Sequence, residues 1–112
     1  MININKNLKN SLRGFKIALS DKSFTTEILL GFVLIPLVVA ADVEEWGYKI
    51  GTILTYILLL AFELINTAIE KLCDRVTKEH DETIMAVKDM ASASVFIVLL
   101  CLTLECFLLI LF

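Results

Sequence analysis

"GTILTYILLLAFELINTAIEKLCDR", residues 51–75, begins as an apolar run and then places glutamate and asparagine side chains where a membrane segment is usually most apolar. A helix that starts near Tyr48 and rises about 1.5 Å per residue crosses about 30 Å of hydrocarbon by roughly Thr67. Glu63 then lies about 6 Å inside the inner boundary of the bilayer, and Glu70 lies just beyond that boundary. The stretch therefore predicts a transmembrane helix with acidic side chains at its inner end.

The composition of the 112-residue chain indicates an integral membrane protein. Hydrophobic residues make up 58% of the chain, which contains four glycines and one proline. A soluble domain of this size normally has fewer apolar side chains and more loop residues. The net charge of -3 offers no basic surface, so we expect no nucleic-acid partner. The three cysteines are predicted to be packing residues, with no role in a disulfide or a zinc site.

The pattern along the chain predicts a single all-α membrane domain over residues 1–112. Residues 1–23 show apolar side chains at helical spacing with basic side chains on another face, which predicts an amphipathic surface helix. Three spans are expected at about 24–46, 48–70 and 91–112, with residues 77–87 as the connection before the third span. A signal peptide that ends at "VVAA" is a competing interpretation, but the 27 preceding residues are long and partly acidic.

The distribution of lysine and arginine predicts the orientation in the membrane. Residues 1–27 carry five of them and residues 71–89 carry four, whereas residues 42–49 carry three acids and one lysine. Basic loops stay in the cytosol, so we expect a cytosolic N-terminus and an extracytoplasmic C-terminus. The basic stripe of the surface helix has two possible roles, which are binding lipid headgroups and holding a phosphate substrate.

Glu63, Asn66 and Glu70 have the spacing i, i+3 and i+7, which places them within about 60° on one helix face. A carboxylate at the centre of a bilayer costs about 2.5–3.5 kcal/mol, whereas eight apolar residues between positions 50 and 62 together favour insertion by about 2.4–4.8 kcal/mol. Glu63 therefore cancels much of the gain from insertion. Acids inside a membrane are functional by default, and the alternative is a snorkelling or packing role.

Three kinds of chemistry need a carboxylate at this depth: a proton pathway, a cation site and a reaction at the lipid surface. The last fits the depth best, because a lipid hydroxyl can reach Glu63 while a water-soluble reagent reaches Glu70. Lys88 suits a phosphate or serves as a topology charge, and Asp89 suits a metal or nucleotide or serves as a helix N-cap. The sequence contains no G-x-x-x-x-G-K-[ST] loop, so nucleotide binding would need another architecture.

"FELINTAIEKLCDR" at residues 62–75 is followed, after residues 76–87, by "KDMASASV". This arrangement closely resembles the signature of the prokaryotic diacylglycerol kinase family, which comprises small integral-membrane lipid kinases. The resemblance covers essentially the full chain. It implies a homotrimer of three-span subunits with an N-terminal surface helix, which uses Mg²⁺ and transfers the γ-phosphoryl group of ATP to a lipid hydroxyl.

The resemblance also implies roles for individual residues, with Glu63 as the general base on the lipid alcohol. Asp21 and Glu70 correspond to the metal ligands, although the family usually has glutamate at the first of these positions. The implied positioning residues are Glu27, Asn66 and Ser92, and the implied ATP-binding residues are Asn10, Asp21, Glu70, Glu79, His80, Asp81, Lys88 and Asp89. From the residues alone, the segment around His80 is better explained as a solvated loop than as a metal cluster.

The acceptor lipid and the function class each retain an alternative. The "DR" after the acidic stripe and "KDMASA" favour diacylglycerol over undecaprenol, which the same fold phosphorylates in other bacteria. A small oligomeric cation or proton conductor is the alternative from another class, with Glu63 and Glu70 as relay groups. Glu105 in the third span matches nothing in the family motif and is explained only as a snorkelling side chain.

Overall fold

The computed structural model describes residues 3–111, and these form four α-helices: α1 (Ile4–Ala18), α2 (Lys22–Ala40), α3 (Trp46–Val76) and α4 (Glu82–Leu111). The last three are each long and apolar enough to cross a membrane. The structure thus confirms the prediction of an all-α chain with three helices suited to a membrane.

Three of the four helices begin at a side chain that satisfies backbone N–H groups. Asn3, Asp21 and Asp81 each accept a hydrogen bond from the backbone N–H three residues ahead, at 3.1, 3.2 and 3.0 Å. Such caps satisfy one of the N–H groups that the first helical turn leaves without a partner. The boundaries of α1, α2 and α4 therefore follow from local chemistry.

The start of α4 corrects two expectations. Residues 82–87, predicted as part of the connection, are helical, so the connection comprises residues 77–81. Asp89 therefore lies inside α4 and is not its N-cap, a role that Asp81 fills. Hydropathy marks where a chain becomes apolar, whereas a helix begins where its first N–H groups are capped. The two positions differ here because the first turns of α4 are polar.

The predicted first span continues to residue 46, but α2 ends at Ala40 and residues 41–45 are not helical. This segment contains three acidic side chains, which favour a solvated turn. Lys49 connects α2 and α3 at this end of the bundle. Its ammonium donates a 2.7 Å hydrogen bond to the carbonyl of Val39 and lies 4.6 Å from the centre of the Trp46 ring. The last turn of α2 is thereby tied to the first turn of α3.

Helix α3 packs against both α2 and α4, and its buried side chains form one stripe along its length. Tyr56 and Leu59 of this stripe form the hydrophobic core with Leu102 of α4. Most large apolar side chains elsewhere on α2, α3 and α4 are exposed, as expected for helices that face lipid or another subunit. The buried stripe comprises Lys49, Thr52, Tyr56, Leu59, Glu63, Asn66, Thr67 and Cys73.

Candidate functional site

Helix α3 carries the centre of the candidate site, because it continues without a break through the acidic stripe to Val76. Glu63 and Asn66 are buried, with 6% and 8% of their surfaces exposed, whereas Glu70 is exposed. The side-chain amide of Asn66 donates a 3.1 Å hydrogen bond to Oε1 of Glu70. The three side chains therefore share one face, and this face leads from a buried acid to a solvent-accessible one.

Helix α2 adds two more acids to this face. The carboxyl groups of Glu27 and Glu63 lie close enough to interact directly, and Asp21 interacts electrostatically with both. Two adjacent carboxyl groups repel each other when both are charged, and one proton shared between them removes this repulsion. A single chain therefore places two carboxyl groups, one from α2 and one from α3, next to each other on the acidic face.

The acids fit a magnesium ion by their chemistry. Mg²⁺ prefers oxygen ligands and is commonly held by one or two carboxylates together with substrate phosphates and water. Oε2 of Glu27 and Oδ1 of Asn66 are buried oxygens without a hydrogen-bond partner in the described part of the chain. Among residues 3–111 no group of three or more His, Cys, Asp or Glu is arranged as a metal cluster. The carboxylate oxygens of Asp21 and Glu70 are of the kind that this ion binds.

Asp21, one of the two predicted metal ligands, also has a structural role. Its Oδ1 accepts hydrogen bonds from the backbone N–H groups of Ser23 and Phe24, at 2.9 and 3.2 Å. Asp21 thus caps α2 and interacts electrostatically with Glu63. The cap holds the first turn of α2, and with it Asp21, near the acidic face.

Lys88 reaches the acidic face from α4. Its ammonium lies 2.5 Å from Oδ1 of Asp74 on α3, and Glu70 interacts with it electrostatically. Asp74 is not among the predicted site residues. It is eleven residues beyond Glu63, a spacing that returns to within about 20° of the same helix face. Helical periodicity applied one turn further along α3 would have found it.

The remaining predicted site residues are exposed in the single chain. Among residues 3–111, none of them makes a hydrogen bond or ion pair with Glu27, Glu63 or Glu70. Asp81 instead caps α4. The residues concerned are Asn10 on α1, Glu79, His80 and Asp81 in the connection, and Asp89 and Ser92 on α4.

Tyr56 is a neighbour of the site that sequence reasoning did not identify. Its hydroxyl donates a 2.7 Å hydrogen bond to the backbone carbonyl of Glu27 and lies 3.3 Å from the carbonyl of Ile28. Its ring occupies the space beside Gly31, where a Cβ atom would overlap the hydroxyl and ring atoms. The contact joins two helices, so the sequence alone did not predict it. The related signal in the sequence is the seven-residue spacing between Tyr56 and Glu63, which places both residues on one face of α3.

Comparisons with known proteins agree on one family. A family model described as prokaryotic diacylglycerol kinase matches residues 9–111. A diacylglycerol kinase of Pseudomonas aeruginosa is 38% identical over 94 residues, covering 83% of this chain and 76% of the relative. One from Haemophilus influenzae is 39% identical over 93 residues, covering 81% and 77%. One from Sinorhizobium is 33% identical over 82 residues, covering 73% and 59%. No solved structure matches the chain.

Proposed function

This chain belongs to the prokaryotic diacylglycerol kinase family and is a diacylglycerol kinase, and we propose that its acidic α3 face transfers the γ-phosphoryl group of ATP to the lipid hydroxyl. The observation that supports this site is the path from buried Glu63 through Asn66 to exposed Glu70. Such a path lets an apolar alcohol and a hydrated phosphate donor meet at one place. The assignment to a kinase family replaces the hypothesis of a cation or proton conductor.

Glu63 is the proposed general base. Phosphoryl transfer depends mainly on positioning and charge neutralisation, and it needs a group that accepts the proton of the attacking alcohol. As the lipid oxygen bonds to the γ-phosphorus, the bond from that phosphorus to the bridging β–γ oxygen breaks and ADP leaves. The alcohol proton passes to the carboxylate of Glu63. Glu27 and Asn66 are its neighbours on the acidic face and are the proposed positioning residues.

The nucleotide side of the site is proposed to comprise Glu70, Asp21 and Lys88. Glu70 and Asp21 would hold Mg²⁺, which when bound neutralises charge on the phosphates. Lys88 would contact a phosphate oxygen, and Asp74 orients it through their 2.5 Å ion pair. The further nucleotide contacts proposed here are Asn10, Glu79, His80, Asp81 and Asp89, and Ser92 is a proposed positioning residue.

We further propose that three copies assemble in the bacterial inner membrane, with the N-terminus in the cytosol and the C-terminus outside. The exposed apolar faces of α2, α3 and α4 support burial against lipid and neighbouring copies. Ile4, Leu8 and Leu12 on α1 are also exposed, which supports a location at the membrane surface. A three-helix subunit is thin, so a neighbouring copy could bring the exposed nucleotide contacts to the acidic face.

The test uses the purified protein in mixed micelles with Mg²⁺ and γ-labelled ATP, and with diacylglycerol or undecaprenol offered separately. We expect labelled phosphatidic acid, and more product from diacylglycerol than from undecaprenol. Glu63→Gln should lower kcat by about 10²–10⁴-fold, the usual contribution of a general base. Glu105→Gln is the matched control, because it changes a glutamate of α4 outside the site. A trimeric Glu63→Gln protein with the native rate would show that Glu63 is not the base.

A further inference from the structure

Glu27 meets α3 both at its backbone carbonyl and at its carboxyl group. The hydroxyl of Tyr56 binds its backbone carbonyl at 2.7 Å, and Glu63 lies beside its carboxyl group. Backbone carbonyls in a helix point toward the C-terminus, whereas side chains tilt toward the N-terminus. One residue of α2 can therefore meet two residues of α3 that are seven positions apart, about 10 Å along the helix axis.

The two helices run in opposite directions at this contact. Lys49 at the start of α3 binds Val39 near the end of α2, and Tyr56, further along α3, binds Glu27, nearer the start of α2. Because the two helices are antiparallel, the direction from Tyr56 to Glu63 along α3 is the direction toward the N-terminus of α2. The side chain of Glu27 tilts in this same direction. The hydrogen bond from the hydroxyl of Tyr56 consequently sets the position of Glu27 along the helix axis relative to Glu63.

The surroundings of Tyr56 fix the position of this hydroxyl. Tyr56 is 4% exposed and belongs to the core cluster with Leu59 and Leu102. Its ring fits beside α2 because position 31 is glycine, and a Cβ atom there would overlap the ring. A ring that is confined on both sides cannot follow a shift of α2 without losing packing. The hydrogen bond therefore defines one register between α2 and α3.

We propose that Tyr56 is a positioning residue of the kinase, which acts through Glu27 to place the carboxyl group of Glu63 for proton transfer from the lipid alcohol. This inference rests on the proposed role of Glu63 as the base. Tyr56 does not touch the substrate in this scheme, and its effect passes through the carboxyl group of Glu27. A purely packing role for the ring would leave the hydroxyl dispensable.

The test compares Tyr56→Phe in the native background and in the Glu27→Gln background, in the micelle assay with diacylglycerol. Removing the hydroxyl should lower kcat by about tenfold and leave KM for ATP and for lipid unchanged, since one hydrogen bond to the backbone is lost. In the Glu27→Gln background the same change should cause no further loss, because coupled residues are not additive. Tyr48→Phe is the control, because Tyr48 is exposed at the beginning of α3.

A native kcat for Tyr56→Phe would overturn the proposal, and so would an equal loss in both backgrounds. Gly31→Ala provides a second variant, since it displaces the same hydroxyl without removing it. Its kcat should fall in the native background and not fall further with Glu27→Gln. Glu63→Gln is measured in parallel. An active Glu63→Gln protein would refute the base itself, whereas an inactive one together with a fully active Tyr56→Phe protein would refute only the role of Tyr56.

Discussion

The hydroxyl of Thr55 on α3 donates a 2.5 Å hydrogen bond to Oε1 of Glu105 on α4. Glu105, which the sequence explains only as a snorkelling acid, thus links two helices at the end of the bundle opposite the acidic face. It also lines a cavity of about 410 Å³, together with Val43, Tyr48 and Thr52. An acid that matches no family motif therefore has a structural partner.

Thr55→Val should destabilise the protein without changing its chemistry. The substitution leaves the carboxyl group of Glu105 without its donor, which costs about 1–3 kcal/mol for a partly buried acceptor. We expect a lower midpoint of thermal unfolding in micelles and an unchanged kcat for the folded fraction. Glu105→Gln should have a smaller effect, because the amide oxygen can still accept the hydrogen bond. Equal stability of Thr55→Val and native protein would show that this bond contributes nothing.

Asn66→Leu should weaken the apparent affinity for Mg²⁺. Its amide holds Oε1 of Glu70 at 3.1 Å, and loss of such an orienting group typically costs about 10–100-fold in metal affinity. The measurement is the initial rate as a function of Mg²⁺ concentration at saturating lipid. Ile65→Leu is the control, because it changes an exposed apolar side chain on the same helix. A native Mg²⁺ dependence for Asn66→Leu would contradict the link between Asn66 and metal binding.

Lys88→Met should raise KM for ATP by about 10–100-fold, the cost of losing a charge-assisted hydrogen bond to phosphate. Asp74→Asn should raise it only about two- to fivefold, because the Asp74 side chain is 60% exposed and solvent screens the pair. Lys78→Met in the connection is the control. A larger increase in KM for Asp74→Asn than for Lys88→Met would contradict the proposal that Lys88 contacts the phosphate and that Asp74 only orients Lys88.

Two substitutions of Asp21 separate its role as the N-cap of α2 from its proposed role as a metal ligand. Asp21→Asn keeps a good N-cap but removes the charge, whereas Asp21→Ala removes both. We expect Asn to preserve thermal stability and reduce activity at limiting Mg²⁺, and Ala to lose a further ~1 kcal/mol of stability. Thermal unfolding and Mg²⁺ titration of both variants provide the measurement. If Asp21→Asn has native activity at every Mg²⁺ concentration, Asp21 is a cap and has no metal role.

Gly31→Ala should lower stability by about 1–3 kcal/mol, since the added Cβ overlaps the confined ring of Tyr56. A second change, Tyr56→Leu, removes the overlapping ring and should recover part of the stability but not the rate. Gly14→Ala is the matched control on α1, where a Cβ meets nothing within 4 Å. It should be neutral or slightly stabilising, because alanine favours a helix over glycine by up to about 1 kcal/mol. Equal stability of both alanine variants would contradict the close contact.

The sequence by itself determined the all-α class, the three apolar helices and the shared face of Glu63, Asn66 and Glu70. These features depend on local properties, which are hydropathy over one segment and the period of one helix. Asp74 could have been added on the same basis. The N-cap at Asp81 was also available from local chemistry, but hydropathy alone places the start of the third span later, where the chain becomes apolar.

Only the tertiary structure decided which residues meet across helices. Glu27 beside Glu63, Tyr56 against Gly31, Lys88 with Asp74 and Thr55 with Glu105 each join two helices. The height and rotation of one helix against another depend on how their side chains interdigitate, and the period within one helix carries no information about that register. The acidic face of α3 was therefore predictable from the period of one helix. The family resemblance named Asp21, Glu27 and Lys88 as site residues, but the α3 residues that they meet were not predictable.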